Sequence, residues 1–575
     1  MAMLEDLRVR LGSALGGKIK RGKIELLVIP MLYLVMSVLI TGAASHNVTR
    51  WILDESGDPN VYMLFLKWWP YALLNGHNPF LINSLSYPFI YDTAWMTSIP
   101  WVALLSAPIT LLFGIYASWN IILILDIAFS ATSMWILLKL ITKSSIGSFL
   151  GGIIYGVSTF EIAELPHVML STEFVLPLMI AVYIARMRNM LGNKWFVPAL
   201  AILYSSELYT SIEVAFTMTC FVVLGILLAM PWYGKEILAE IKVRRKELLL
   251  VMVLIIIIVS PLMFYLYKGR FAAASSINSP VVYSTDLLNF IIPTPVTALG
   301  GQAFLNISTK FTGNFSESTG YMGIVLLVVL LISIVSFWHR YRWAKPLGLL
   351  TVGMMILTLG PVLHVGGNVY SLRLPWYLVA KLPVFNSVLP GRLMQFVWFL
   401  LAIWIATWIG SSKIRREVII KLCAVVAGII MIWPAASNFY WTRPLLRNVN
   451  ALDRLNGGVV MFVGNQSQLP FPAGDTIDLL VAESNFHLYT TNAQWGYNPY
   501  PASRQPLAWH VEQVNSPKDL GPNAAGQIEA FCSAYHDKYV AVYLKSSQWM
   551  RFMDSLHWKK VDVNSSIVLF EVPHH

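Results

Sequence analysis

Ten ionisable side chains beside the predicted ends of apolar segments are the best candidates for chemistry in this 575-residue sequence. Eight are carboxylates, one is a histidine and one is an arginine. Ionisable groups at membrane depth are costly and usually face a protein interior or a water-filled cleft, so we expect these residues to share one cavity. The set comprises Asp54, Glu55, Asp58, Asp92, Glu161, Glu164, His167, Glu213, Glu317 and Arg392.

Asp58 is the most informative of the carboxylates. It stands between Gly57 and Pro59, where a helix is expected to start. A carboxylate held at such a position can accept a proton from a hydroxyl as a general base. It can equally be a plain helix cap, and its position alone leaves both interpretations open.

Two cationic residues are candidates for binding a phosphate. Arg392 follows Leu389-Pro-Gly at the predicted end of a span, and its planar fork of donors suits phosphate. Contact with lipid head groups is the alternative for it. His167 precedes another span and could bind phosphate or orient a carboxylate, and a structural histidine is the alternative there. Asp126 lies inside a predicted span, where we expect a polar partner and no chemistry.

The composition places these residues in a membrane protein. Hydrophobic residues make up 56% of the chain and charged residues 12%, against about 45–50% and 25% in soluble proteins. The mean hydropathy is +0.61. The net charge of +11 comes from short basic clusters between apolar runs, so it indicates topology and predicts no nucleic-acid partner. The three cysteines are far apart in the sequence, so they indicate neither a disulfide framework nor a zinc site.

The basic clusters define a topology with about eleven spans. The basic N-terminus precedes the apolar run 26–44, which we interpret as a retained anchor rather than a cleaved signal peptide. We expect the protein to lie in the plasma membrane with its N-terminus in the cytoplasm. The run 97–113 carries two prolines, and counting it as a span would put the next basic cluster outside. We therefore predict an interfacial or re-entrant helix there. The odd count places the C-terminus outside the cytoplasm, and an even count is the alternative.

The predicted fold is an α-helical polytopic membrane domain, residues 1–434, followed by a small extracytoplasmic α/β domain, residues 435–575. Outer loop 45–116 should hold interfacial helices, with an amphipathic one over 61–74 on the membrane surface. A second long outer loop covers 268–320. In the C-terminal domain the pattern predicts strands at 539–544 and 566–572, with a helix at 548–556 between them.

The sequence resembles the GT-C superfamily of membrane glycosyltransferases, specifically the members that use polyprenyl-phosphate sugars. The resemblance lies in Gly57-Asp58-Pro59, in the stretch from Trp68-Trp69-Pro70 to Asn78-Pro79 and in the proline-punctuated segment 97–113. It implies a GT-C-like membrane domain whose first outer loop supplies an acidic catalytic base, for which Asp58 is the best match.

The same resemblance implies roles for further residues. Arg392 and His167 are then candidates to bind the donor phosphate. The residues that could bind sugar or acceptor are Glu317, Tyr321, Asp92 and Glu213. We expect no cofactor. If a divalent metal binds, its ligands should be Asp54, Glu55 and Asp58, although a monophosphate donor carries less charge than a diphosphate and needs a metal less.

The resulting expectation is an inverting, integral membrane glycosyltransferase. It would move a hexosyl or pentosyl group from a polyprenyl-phosphate donor to an extracytoplasmic glycan, lipid or protein of the cell envelope. Two alternatives remain open. One is a polysaccharide polymerase or ligase that uses a lipid diphosphate, and the other is a polytopic transporter, which should show inverted repeats and broken helices.

Overall fold

The structure, a computed structural model, describes most of the chain. The described residues are 24–53, 58–85, 87–142, 144–268, 278–382, 384–412, 414–443, 458–463, 473–491, 516–543, 546–563 and 567–573. Two predicted site residues, Asp54 and Glu55, lie outside these ranges, as does the basic N-terminal segment used to orient the chain.

Helices dominate residues 24–432. Those of the first half are α1 Ile24–Ile40, α2 Asp58–Leu74, α3 Pro100–Phe113, α4 Ile115–Thr142, α5 Ser145–Gly156, α6 Thr159–Glu164, α7 Val168–Ser171, α8 Val175–Met187, α9 Asn193–Thr210 and α10 Ile212–Lys268. Those that follow are α11 Leu305–Ser308, α12 Gly323–Trp338, α13 Ala344–Thr358, α14 Trp376–Val379, α15 Met394–Gly410 and α16 Arg415–Ile432.

Several of these helices are suited to a bilayer. Among the described residues, five helical segments are long and apolar enough to cross a membrane: Ile115–Thr142, Ser145–Glu164, Val168–Met187, Ile212–Lys268 and Pro390–Gly410. Four shorter apolar helices accompany them, namely α1, α3, α12 and α13. The chain is therefore an integral membrane protein. The number of eleven spans and the orientation of the termini remain predictions.

The apolar runs 213–230 and 248–267 predict two separate spans, whereas the structure has one helix, α10, over both. Its 57 residues form one helical run, interrupted at Tyr233 by a non-helical backbone with φ −124° and ψ 16°. The predicted spans 213–230 and 248–267 lie on either side of this kink. Pro231, close to the kink, removes a backbone hydrogen-bond donor and so accounts for a break here.

Helix α5 can pack closely against its neighbours because it contains glycines. A Cβ atom on Gly152 would lie 2.3 Å from the Tyr33 hydroxyl and 2.7 Å from the Ala131 carbonyl oxygen. A Cβ on Gly151 would lie 2.3 Å from Leu138. Small residues allow helix backbones to approach in this way. The close packing fixes α5, and with it the short helix α6 that follows.

Short strands occur between the helices. They are β1 Ile52–Leu53, β2 Leu81–Ile82, β3 Tyr91–Asp92, β4 Val362–Val365, β5 Asn368–Arg373 and β6 Trp441–Thr442. The pairs β1–β6, β2–β3 and β4–β5 are all antiparallel. Because β6 follows α16, its pairing with β1 ties the end of the helical region to the segment just before α2.

The C-terminal region contains a five-stranded sheet. Its elements are β7 Val459–Val463, α17 Ala473–Glu483, β8 Tyr489–Thr490, α18 Ala524–Tyr535, β9 Tyr539–Tyr543, α19 Ser547–Ser555, β10 Lys560–Val563 and β11 Ile567–Glu571. The strand order is β10-β11-β9-β7-β8. Strand β7 is parallel to β8 and β9, whereas β11 is antiparallel to both of its neighbours. The two predicted strands and the helix between them correspond to β9, β11 and α19.

Helix α2 is covered rather than lying open on a membrane surface. Residues Val61 to Leu66 are 0–3% exposed and belong to a core shared with β7, α17 and β9. Phe486, just after α17, places its ring 4.9 Å from that of Trp68 and 4.8 Å from that of Tyr71. The predicted helix is present and begins at Asp58, but the C-terminal region buries the face that was expected to meet lipid.

Candidate active site

Helix α4 positions the start of α2. The Asn120 side chain accepts a hydrogen bond from the Leu53 amide at 2.8 Å and donates to the carbonyls of Val48 and Trp51. The Trp119 indole donates to the Leu53 carbonyl at 2.8 Å. The buried polar groups of this extended segment are thereby satisfied, and the segment is held in place just before Asp58.

Asp58, His167 and Glu164 form the first half of the site. The Asp58 carboxylate oxygen Oδ2 lies 3.3 Å from Nε2 of His167, and Glu164 Oε2 lies 2.7 Å from Nδ1. Asp58 is the first residue of α2, Glu164 is the last of α6, and His167 lies between α6 and α7. The imidazole therefore bridges two carboxylates, and Asp58 is the more open of the two, at 37% exposed against 0%.

The surroundings of His167 favour its charged form. Burial lowers the pKa of His167, but the charge of Glu164 and the contacts with Asp58 outweigh it and raise that pKa to about 10. At neutral pH the ring is therefore an imidazolium whose two N–H groups donate to the two carboxylates. Sequence reasoning proposed His167 as a phosphate ligand or an orienting group, and the geometry places it against Asp58.

Arg392, Glu213 and Glu317 form the second half. Arg392 Nη1 donates to Glu213 Oε2 at 2.7 Å, while Nε and Nη2 donate to Glu317 Oε1 at 3.0 and 2.7 Å. Arg392 lies in the turn Pro390–Leu393 that leads into α15, Glu213 is the second residue of α10, and Glu317 precedes α12. Three of the five guanidinium N–H donors are thus used, which leaves two for another acceptor.

Glu164 links the two halves electrostatically. Burial raises the pKa of Glu317, the charge of Glu164 raises it further, and Arg392 opposes both. Tyr62, one helical turn after Asp58, is also between the halves: burial raises its pKa well above the ordinary value, with Asp58 adding to the effect and Arg392 opposing it. Tyr62 was missed in the sequence, although its spacing of four residues from Asp58 places it on the same helix face.

The combined network carries more negative than positive charge. It contains four carboxylates and two cations, and one oxygen each of Glu164, Glu213 and Glu317 is buried without a hydrogen-bond partner. Within the described ranges, no group of three or more His, Cys, Asp or Glu residues is arranged to hold a metal ion. The suggested ligands Asp54 and Glu55 lie outside those ranges.

A cavity of about 350 Å³ adjoins the network at Glu213. Its wall includes Tyr209, Ser211, Ser98 and Leu266, so a few polar groups stand among apolar ones. Such a lining is typical of sites that hold an amphipathic ligand.

Two predicted site residues have other positions. Asp92 lies on β3 and caps the turn Thr93–Trp95, where its side chain accepts a hydrogen bond from the Ala94 N–H at 2.9 Å. Burial raises the pKa of Asp92, and that hydrogen bond only partly opposes the rise. Tyr321 is 2% exposed in the apolar core, where burial raises its pKa. Its carbonyl oxygen accepts a hydrogen bond from Thr159 at the start of α6. Tyr321 thus contributes to the placement of α6, and the prediction that it lines a sugar site has no support from this geometry.

The network falls inside a region that a family model recognises. The model, described as a domain of unknown function (DUF6311), matches residues 28–430. The chain belongs to the DUF6311 family. The match includes all six residues of the network and ends before the C-terminal sheet of this DUF6311 protein begins. Among curated proteins, none matches the sequence.

The chain is similar to solved structures of two proteins, at low sequence identity. The archaeal oligosaccharyltransferase AglB from Archaeoglobus fulgidus, in complex with an inhibitory peptide and a dolichol-phosphate, is 10% identical with a TM-score of 0.47, over 90% of this chain and 70% of AglB. ArnT from Cupriavidus metallidurans, bound to undecaprenyl phosphate, is 9% identical with a TM-score of 0.43, over 94% of this chain and 97% of ArnT.

The predicted resemblance to GT-C membrane glycosyltransferases is confirmed as a likeness of this DUF6311 protein to such enzymes. With identities of 9–12% and TM-scores below 0.5, the likeness gives no residue of this chain a role.

Proposed function

We propose that this DUF6311 protein is an inverting membrane glycosyltransferase. It takes a hexosyl or pentosyl group from a polyprenyl-phosphate carrier and transfers it, outside the cytoplasm, to an envelope glycan, lipid or protein. The observation that carries the proposal is the convergence of Asp58, His167 and Arg392, which come from α2, the α6–α7 turn and the turn before α15, on one partly open network. Ionisable side chains that come from distant segments and meet at a partly open site are candidates for catalytic roles.

Asp58 is the general base in this proposal. The acceptor oxygen forms a bond to the anomeric carbon as its proton passes to Asp58, and the bond from that carbon to the phosphate oxygen breaks. The electron pair of the broken bond leaves on the polyprenyl phosphate. Asp58 suits this role because its carboxylate is accessible and is held in one orientation by His167.

The cations of the network serve the leaving phosphate. Arg392 has two N–H donors beyond those bound to Glu213 and Glu317, and a phosphate oxygen can accept them. His167 lends positive charge while both of its N–H groups hold carboxylates, so we assign it the positioning of Asp58. Four carboxylates surround the two cations, and a donor with one phosphate meets less repulsion there than a diphosphate.

The test is the release of polyprenyl phosphate, a product common to every sugar. The purified full-length protein in nanodiscs is supplied with a panel of undecaprenyl-phosphate hexoses and pentoses and with envelope extract as acceptor. We expect at least one donor to release undecaprenyl phosphate, and Asp58→Asn to reduce the rate at least 100-fold.

The matched control is Asp554→Asn, which removes an exposed carboxylate paired with Lys560 and should leave the rate unchanged. Folding of each variant is checked by its thermal unfolding. Full activity in Asp58→Asn would remove Asp58 as the base. Release from undecaprenyl-diphosphate sugars alone would favour the polymerase or ligase instead.

A further inference from the structure

A second group of carboxylates lies inside the helical bundle, apart from the network around Arg392. Asp126 belongs to α4, Glu161 to α6 and Glu207 to α9, and Glu173 precedes α8. Their residues are 0–4% exposed. Three of them lie in segments long and apolar enough to cross a membrane. Acidic residues inside such segments are rare, because their charge is expensive to bury.

Positive partners do not offset this charge. In the part of the chain that the structure describes, none of the four forms an ion pair. The titratable groups around them are Tyr155 of α5 and Glu164 at the end of α6. The charges of all four carboxylates act on the Tyr155 hydroxyl. Tyr155 does not neutralise them, because its hydroxyl donates to the Glu173 backbone carbonyl at 3.0 Å.

Most of the carboxyl oxygens also have no donor. Both oxygens of Glu161, Glu173 and Glu207 are buried without a hydrogen-bond partner, whereas Asp126 accepts a hydrogen bond from the Ser171 hydroxyl. A buried acceptor left unpaired costs about 1–3 kcal/mol, and more if it is charged. The Ser130 hydroxyl, 0% exposed, lies near Glu161 and is also buried without a hydrogen-bond partner.

The contact between Glu161 and Glu173 indicates which hydrogen-bond donor is missing. The carboxyl groups of Glu161 and Glu173 lie within hydrogen-bonding reach of each other. Two carboxylates cannot form a hydrogen bond, but a carboxylic acid donates one to a carboxylate or to another acid. Within the described ranges no group of three or more His, Cys, Asp or Glu residues is arranged to hold a metal ion. A proton is the cation that supplies a donor between two carboxyl oxygens.

We propose that Asp126, Glu161, Glu173 and Glu207 form an intramembrane proton-binding site. Proton occupancy supplies the missing donors and removes the charge that would otherwise be buried. It also affects the neighbouring network: Glu161 and Glu164 are three residues apart on α6, so an ionised cluster would make the ionised form of Glu164 less favourable. The proposal does not depend on the function proposed above.

Infrared spectroscopy of the full-length protein in nanodiscs tests the site directly. At pH 7 we expect the C=O stretch of protonated carboxylic acids, identified by its shift in D₂O. The Glu161→Gln and Glu173→Gln variants should each lose part of this band, and the exposed Glu417→Gln control should keep all of it. A wild-type spectrum without the band, or a band that both variants retain in full, would overturn the proposal.

Thermal unfolding of the wild type supplies a second measurement, which needs no variant to fold. Because the folded state binds protons that the unfolded state releases, the unfolding temperature should fall as the pH rises from about 6 to 9. Glu161→Gln, which resembles the protonated acid in shape, should reduce this slope. A flat or rising profile contradicts the proposal. Loss of the infrared band on replacing choline by sodium would show that the site binds a metal cation instead.

Discussion

Replacing Glu164 by Gln tests whether the bridge between Asp58 and Glu164 sets the charge of His167. The pKa of His167 is raised from 6.5 to about 10, which corresponds to about 5 kcal/mol of additional proton affinity, since one pKa unit is about 1.4 kcal/mol. The Glu164 charge is the largest contribution against burial. Gln keeps an oxygen for Nδ1–H but loses the charge, a change of about 1.5–3 kcal/mol. We expect the pKa of His167 to fall to about 8–9.

Replacing Glu164 by Gln should also alter how the free energy of unfolding depends on pH. Because folding raises the pKa of His167, its contribution to the free energy of unfolding is complete below about pH 6.5 and is lost as the pH rises through about 10. In Glu164→Gln the contribution is smaller and is lost nearer pH 8–9. The unfolding temperature of the variant should therefore decline at a lower pH than that of the wild type.

Histidine-selective NMR in nanodiscs measures the titration directly. The His167 signal is assigned as the one missing from the spectrum of His167→Gln, and the exposed Glu417→Gln serves as the control with an unchanged titration. If His167 in the wild type titrates near 6.5, or if its titration is the same in Glu164→Gln, the bridge does not set the charge of His167. Neither result depends on enzymatic activity.

Two further predictions concern the second half of the site and the helix packing that supports it. Arg392→Gln should lower the free energy of unfolding by about 3 kcal/mol, because it leaves the buried Glu317 and the partly exposed Glu213 without their cation. Arg342→Gln, which breaks an exposed pair, should change it by at most about 1 kcal/mol. Equal effects of the two substitutions in urea or thermal unfolding would contradict this. Gly152→Ala should destabilise α5 packing by about 1–3 kcal/mol, because the added methyl group meets neighbouring atoms at 2.3 and 2.7 Å. The control Gly353→Ala, with open space around it, should be neutral or slightly stabilising. A wild-type unfolding temperature for Gly152→Ala would show that the helices can separate without cost.

Some features could be predicted from the sequence because they depend on local pattern and composition. The apolar excess alone identifies a membrane protein, and the short runs of β-branched and aromatic residues at 539–544 and 566–572 predict the strands found as β9 and β11. The start of a helix at Asp58 follows from Gly57 and Pro59, whose backbone preferences act over a few residues. The positions of ionisable residues beside predicted span ends selected ten candidates, and this set includes all six residues of the network.

Other features depend on contacts between distant segments, and only the tertiary structure decides them. One such contact pairs His167 with Asp58. Another pairs Arg392 with Glu317 and Glu213, which are 75 and 179 positions away in the sequence. No periodicity of the sequence encodes such distances. The sequence placed Glu161 in the same set as Glu164, but the turn of α6 directs it to a different group of carboxylates. The burial of α2 beneath α17 likewise comes from a region more than 400 residues later, because an amphipathic helix has the same pattern whether lipid or protein covers its apolar face.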